Sequence, residues 1–154
     1  MRTALFLLLA ALAPAQAFAA NQVVLDNSVF VERATTDAAG KQRVLLEEPK
    51  VVVPGDKLVF VLNYRNAGAQ PADAFVITNP MPSAVRYADA GDTRPAVSVD
   101  GGKSWGTLET LTVPLADGTR RPAQPADVTH IRWAFQKPIP AGGVGKLMFR
   151  GIVK

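Results

Sequence analysis

The chain has 154 residues, a formal net charge of +4 at pH 7, one histidine and no cysteine. The absence of cysteine excludes disulfides, thiol catalysis, thiolate metal sites and the lipid-attachment cysteine of a bacterial lipoprotein. The basic residues are scattered and only Arg120 and Arg121 are adjacent, so the stripe of charge that marks a nucleic-acid partner is missing.

Residues 1–19 have the three features of a secretory signal peptide. Arg2 supplies the positive start, Leu5 to Leu12 is an apolar run, and Ala17-Phe18-Ala19 fits the small-x-small cleavage rule. The run is shorter than the roughly 20 residues that cross a bilayer. A buried helix or a retained anchor is the alternative. The mature chain is therefore expected to begin near Ala20 or Asn21, to be exported to the periplasm or the cell surface, and to have no membrane span.

The rest of the chain predicts an all-β fold. Short alternating segments bounded by Pro, Gly, Asn and Asp recur about every ten residues, and no window has apolar residues at helical spacing. This pattern is typical of an antiparallel β-sandwich. The size fits one domain, large enough to stand on packing and strand pairing alone.

Residues 20–50 predict an N-terminal hairpin that precedes the main domain, residues 51–154. One strand runs from Gln22 to Arg33, with a bend or bulge at Asp26-Asn27-Ser28, and a second runs from Lys41 to Glu47. Two outcomes stay open for this hairpin. Packing on the sandwich is favoured because most strand edges are covered or blunted, and the addition of a strand to a partner is the alternative.

The stretch Val51 to Asn66 predicts a strand, a Pro54-Gly55-Asp56 corner and a second strand. Alternation places one set of side chains on the core face: Leu58, Phe60, Leu62 and Tyr64. The other face carries Val59, Val61, Asn63 and Arg65.

Six further strands are predicted: Phe75 to Ile77, Val85 to Tyr87, Ala96 to Val99, Thr107 to Val113, Val128 to Gln136 and Lys146 to Val153. Pro114 to Asp127 is expected to be a polar connection. Alternation in the fifth of these strands predicts a buried Trp133 and places His130 on the opposite face.

A succession of motifs in residues 51–154 resembles a known family. The motifs are Val53-Pro54-Gly55-Asp56, Asn63-Tyr64-Arg65-Asn66-Ala67-Gly68, Asn79-Pro80-Met81-Pro82, Val85-Arg86-Tyr87, Ser98-Val99-Asp100-Gly101-Gly102 and Ile139-Pro140-Ala141-Gly142. In this order they resemble the bacterial extracellular repeat domains called domain of unknown function eleven. The resemblance implies an immunoglobulin-like β-sandwich used as a spacer, stalk or adhesion module, without catalytic residues. The chain departs from the family at Asn79, where the family often has Asp.

Ser98 to Trp105 also fits the Asp-box pattern Ser-x-Asp-x-Gly-x-Ser-Trp of sialidase-like propellers. One copy in a chain too short for a propeller favours a stable hairpin instead. A glycosidase needs two opposed carboxylates, and the acidic residues here lie in separate turns. His130, the single histidine, is expected at the surface and not beside an activated serine. An enzyme is therefore not expected.

Two kinds of ligand contact remain as candidates. Asp89, Asp92 and Asp100 offer hard oxygen ligands for calcium, although their spacing does not match an EF-hand loop. Trp105 offers an aromatic face to a sugar. Transition metals and other cofactors are not expected.

The sequence thus predicts an exported, non-enzymatic structural or protein-interaction module of the bacterial cell envelope. Its partner would be an envelope or surface protein that the sequence does not identify. The alternative is a small glycan- or calcium-binding module that acts through the loops at residues 88–105.

Overall fold

The computed structural model describes residues 22–154, so the signal peptide predicted at residues 1–19 lies outside the described residues. The described part is all-β, with antiparallel sheets and three short 3-10 helices. None of its helices is long and apolar enough to cross a membrane. The predicted all-β fold with an N-terminal hairpin is confirmed.

Ten strands follow in chain order: β1 Val23–Thr36, β2 Gln42–Glu47, β3 Lys57–Asn66, β4 Val76–Pro80, β5 Val85–Asp89, β6 Ala96–Ser98, β7 Thr112–Pro114, β8 Arg120–Pro122, β9 His130–Ala134 and β10 Val144–Val153. They form a five-stranded sheet in the order β2-β1-β3-β10-β5, a three-stranded sheet in the order β4-β9-β6, and the separate pair β7-β8. The 3-10 helices are Gly91–Thr93, Leu108–Thr110 and Pro125–Asp127.

The core lies between the five-stranded and the three-stranded sheets. The first contributes Leu62, Leu147 and Phe149, and the second contributes Ile77, Ile131 and Trp133. Phe60 stacks on Phe149 with ring centroids 4.4 Å apart. The predicted core face of β3 and the predicted burial of Trp133 are both confirmed.

The opposite face of β3 is also covered, which the alternation did not predict. Val59 is only 1% exposed. Its register neighbours are Phe30 on β1 and Arg150 on β10. Arg150 donates from Nε to Glu32 at 2.7 Å and from Nη1 to Asp89 at 3.1 Å. The aliphatic part of an arginine held in this way covers apolar surface beneath it.

Strand β1 belongs to the main sheet over its first half. It pairs with β3 from Val23 to Val31 without a break in register, so the bend predicted at Asp26-Asn27-Ser28 is wrong. From Val31 to Thr36 it pairs with β2 instead. The predicted hairpin is therefore present, but only its distal half extends beyond the strands of the sandwich.

The strand predicted from Thr107 to Val113 is wrong in its first half. Thr107 precedes the 3-10 helix Leu108–Thr110, and only β7 follows as strand. Thr110 Oγ1 donates to the Thr107 carbonyl at 2.9 Å. Such a local hydrogen bond competes with strand pairing. The connection predicted as polar loop after β7 contains β8 and the last 3-10 helix.

A buried amide joins the end of β3 to the turn that precedes β10. Asn66 is 1% exposed. Its Nδ2 donates to the carbonyls of Gln70 at 2.8 Å and Ile139 at 2.9 Å, and its Oδ1 accepts from the Gly68 amide at 3.0 Å. Both donor hydrogens and the acceptor oxygen of this amide are therefore used.

Replacement of Asn66 by alanine is expected to lower the free energy of unfolding by about 2–4 kcal/mol, because the change leaves two carbonyls and one amide without their partner. Urea denaturation would measure the loss. Asn63→Ala, at an exposed position of the same strand, is the control and should change stability by less than about 0.5 kcal/mol. Equal losses for the two variants would contradict the role assigned to Asn66.

Candidate interaction surfaces

The distal half of the β1–β2 hairpin presents an apolar strand to solvent. All six residues of β2 are exposed. Val44 is 62% exposed, and Leu45 and Leu46 are each 48% exposed. Consecutive residues of a strand point to opposite faces, so both faces of β2 carry exposed apolar side chains. The favoured prediction that this hairpin packs on the sandwich is therefore wrong for β2.

The outer backbone edge of β2 is also unpaired in the described part of the chain. The Asp37 amide donates to the Lys41 carbonyl at 2.9 Å, which makes these two residues a hydrogen-bonded pair. Hydrogen-bonded and non-hydrogen-bonded pairs alternate along an antiparallel ladder. The amides and carbonyls of Gln42, Val44 and Leu46 consequently point away from β1.

A second apolar segment follows the hairpin. Val51, Val52 and Val53 are all exposed. A groove of about 580 Å³ lies between this segment and the hairpin, lined by residues that include Val31, Arg33, Glu47, Pro49 and Val51. Contiguous exposed apolar surface with a charged rim is typical of protein interaction sites.

An ion pair fixes the hairpin to the corner before β3. Arg33 Nη1 donates to Asp56 Oδ1 at 2.6 Å, and the Val53 amide donates to Asp56 Oδ2 at 3.0 Å. These hydrogen bonds, first that from Arg33, hold the pKa of Asp56 below its usual value. Arg33 lies on the half of β1 that pairs with β2. The projecting strands are therefore attached to the sandwich through the Pro54-Gly55-Asp56 corner.

The turn of the hairpin is held by Asp37. Its carboxylate accepts from the amides of Ala39 and Lys41 and from Arg43 Nε. The bond from the Lys41 amide is the largest cause of its lowered pKa, followed by that from Arg43. The tip and the base of the hairpin thus each depend on one ionised aspartate.

Acid is expected to loosen the hairpin. The pKa values of Asp37 and Asp56 are lowered in the folded state. Their contribution to stability is therefore complete above the carboxyl pKa of the unfolded chain, about 4, and is lost as the pH falls through the lower folded values. Amide exchange protection in β2, measured by NMR, should fall over this pH range.

Asp56→Asn should reproduce part of this loss at neutral pH, because it removes the charged partner of Arg33. Protection in β9, which has no contact with this ion pair, is the internal control. Equal losses of protection in β2 and β9 would mean that the hairpin has no separate electrostatic attachment.

The Ser98–Trp105 segment forms a tight turn organised by Asp100. One carboxylate oxygen accepts from Ser98 Oγ at 2.7 Å and from the amides of Lys103 and Ser104. The other accepts from Ser104 Oγ at 2.6 Å. These bonds, first those from Ser104, lower the pKa of Asp100 strongly. The geometry is that of the stable hairpin favoured from the sequence.

Two of the three aspartates considered for calcium, Asp89 and Asp100, are engaged in hydrogen bonds. Asp89 accepts from the Gly91 amide and from Arg150, and Asp100 binds its own turn. Asp92 lies in the 3-10 helix Gly91–Thr93. Within residues 22–154, no three acidic, histidine or cysteine side chains come together in a group suited to hold a metal ion.

Trp105 and His130 lie together on the outer side of the three-stranded sheet. The Arg132 guanidinium sits 3.7 Å from the centroid of the Trp105 ring, and Trp105 Nε1 donates to the Gly102 carbonyl at 2.9 Å. The His130 ring meets Trp105 edge-on, with centroids 6.3 Å apart. Arg132 thus occupies one face of the ring that was expected to contact a sugar.

A separate groove of about 430 Å³ lies between the first two 3-10 helices. Its lining includes Tyr87, Asp89, Arg94 and Glu109. Burial, followed by the charges of Asp89 and Glu109, raises the pKa of Tyr87. Arg94 adopts a left-handed backbone conformation, with φ of 38°. The sequence predicted ligand contacts in the loops at residues 88–105 of this region, but no motif marked Tyr87 or Glu109 as a contact residue.

No family model, no curated protein and no solved structure matches the chain.

Proposed function

We propose that the protein is an exported, non-enzymatic interaction module of the bacterial cell envelope that binds a protein strand at the edge of β2. The observation that carries this proposal is the regular strand β2, which has a free backbone edge and exposed apolar residues on both faces. Strand addition to such an edge supplies main-chain hydrogen bonds and side-chain contacts together. The resemblance to immunoglobulin-like extracellular modules and the signal-peptide pattern support the location.

The unfavourable exposure of β2 also supports the binding of a partner strand. A two-stranded hairpin is marginally stable in water, and an exposed apolar edge favours aggregation. Here the hairpin is nevertheless fixed to the corner before β3 by the ion pair between Arg33 and Asp56, with β2 exposed. The partner expected from this geometry is an extended segment with apolar side chains opposite Val44 to Leu46 and complementary charges at its ends.

A photoreactive residue in place of Leu45 is expected to crosslink to a protein partner in cells that express the chain. The same residue in place of Ala116, in the exposed loop between β7 and β8, is the positional control. Adducts should form from position 45 alone, since only that position lies on the proposed binding strand. Electrophoresis and mass spectrometry would detect and identify them.

Two substitutions of Val44 separate backbone pairing from side-chain contact. Val44→Pro removes an amide that points away from β1, so the hairpin should be retained while adducts are lost. Val44→Ala keeps that amide and should retain them in part. No adduct from position 45, or adducts unaffected by Val44→Pro, would overturn the proposed function.

The groove at Tyr87 and Glu109 favours a second candidate function, the binding of a small glycan. An aromatic ring with carboxylates beside it is a common arrangement for holding a sugar, through stacking and through hydrogen bonds from hydroxyl groups. The groove lies beside the loops at residues 88–105, although Trp105 is on the outer side of the three-stranded sheet.

Isothermal titration calorimetry with envelope oligosaccharides is expected to show saturable binding if this candidate is correct. Glu109→Gln should weaken that binding about tenfold, the effect of one hydrogen bond to a charged group. Asp117→Asn, in the remote loop between β7 and β8, is the matched control. The absence of saturable heat would exclude the oligosaccharides tested.

A further inference from the structure

We propose that the strand that pairs with β2 is β2 of a second copy of this chain, which joins the two five-stranded sheets edge to edge. This inference rests on the proposed function, because it uses the same free edge. It follows from three properties of residues 42–48: the direction of the backbone groups, the positions of the apolar side chains and the order of the charges.

The backbone limits the possible registers. In β2 the groups of Gln42, Val44 and Leu46 point outward, and those of the residues between them point toward β1. Two copies related by a two-fold axis can form a regular antiparallel ladder only if outward-pointing residues lie opposite one another. The axis must therefore pass through a residue and not between two residues.

The apolar side chains select one of these registers. With the axis at Leu45, Leu45 lies opposite its own copy, and Val44 lies opposite Leu46 of the second copy. With the axis at Val44, Leu46 lies opposite Gln42 of the second copy. With the axis at Leu46, Val44 lies opposite Glu48 of the second copy. Only the axis at Leu45 places apolar residues against apolar residues throughout.

The charges agree with the same register. Lys41 and Arg43 lie at the beginning of the strand, and Glu47 and Glu48 lie at its end. The axis at Leu45 sets Arg43 opposite Glu47 of the second copy, and the symmetry repeats this pair on the other side. A parallel pairing would set like charges against one another. Opposite charges at directly facing strand positions are stabilising, and like charges are destabilising.

Symmetry also gives this pairing a natural end point. Each copy offers the same strand to the other, so the interface is isologous and consumes the free edge of both. The product is a closed dimer with a continuous ten-stranded sheet, made from the two five-stranded sheets. A free apolar edge on each monomer is in this way covered without the growth of a fibre.

Sedimentation equilibrium over a concentration series of the purified mature protein would test this inference. The wild-type chain should reach twice the monomer mass. Glu47→Arg places like charges opposite one another twice per dimer and should raise the dimer dissociation constant about tenfold or more. Arg43→Glu has the same effect across the interface, and it also removes the ion pair between Arg43 and Asp37 within each hairpin. The double variant restores opposite charges across the interface and should dimerise more tightly than either single variant. Circular dichroism and thermal unfolding would check that every variant is folded.

The outcomes separate this inference from the proposed function. Rescue by the double variant supports the second copy as the partner. A protein that stays monomeric at all concentrations, or a dimer that is indifferent to both charge reversals, overturns it. If position 45 then crosslinks to a different protein in cells, the proposed function stands and only the identity of the partner is corrected. If position 45 gives no adduct, both fail.

Discussion

The buried amide of Asn66 is the constraint on which the arrangement of the main sheet depends. It holds the loop after β3 against the turn before β10, and those two strands are neighbours at the centre of the five-stranded sheet. Two backbone hydrogen bonds join the same segments: the Asn66 backbone N–H donates to the Gly143 carbonyl, and the Asn66 carbonyl accepts from the Gly142 N–H. In a chain without cysteine, a fully hydrogen-bonded polar group performs the joining role that a disulfide has in many other proteins.

The position of the hairpin follows from this fixed centre. Strand β1 is positioned by its pairing with β3, which ends where Val31 lies opposite Leu58. Beyond Val31, β1 has no described strand beside it on the side of β3. In this part of β1, Arg33 binds Asp56 in the corner before β3. Because this part of β1 pairs with β2, the corner also determines where β2 lies. The covered outer face of β3 adds rigidity, because Arg150 connects β10 to Glu32 on β1 and to Asp89 on β5. Strand β2 is thus exposed at the edge of a sheet whose other strands are linked by these ion pairs.

The sequence predicted most of the strands and the core, because alternation is a direct consequence of which face is buried. Leu62 and Trp133 are examples. The prediction from sequence failed where local hydrogen bonds or long-range strand pairing determine the backbone structure. Thr110 bends its segment through a bond to Thr107, and Asp26 stays in register because it lies opposite Asn63 in a long ladder. The exposure of Val44 to Leu46 could not be read from the sequence, since an apolar run fits a buried strand equally well.

The same run shows why edges are harder to interpret than cores. Apolar composition does not distinguish a strand that is buried on both faces from an edge strand that binds a partner strand. Only the charged residues beside the apolar run differ between the two. In β2 the basic residues Lys41 and Arg43 and the acidic residues Glu47 and Glu48 stand at opposite ends. A buried strand has no need of this order, whereas an edge that must accept one partner, in one direction and one register, gains specificity from it. The order of charge along β2 is therefore a stronger indication of its role than its hydrophobicity.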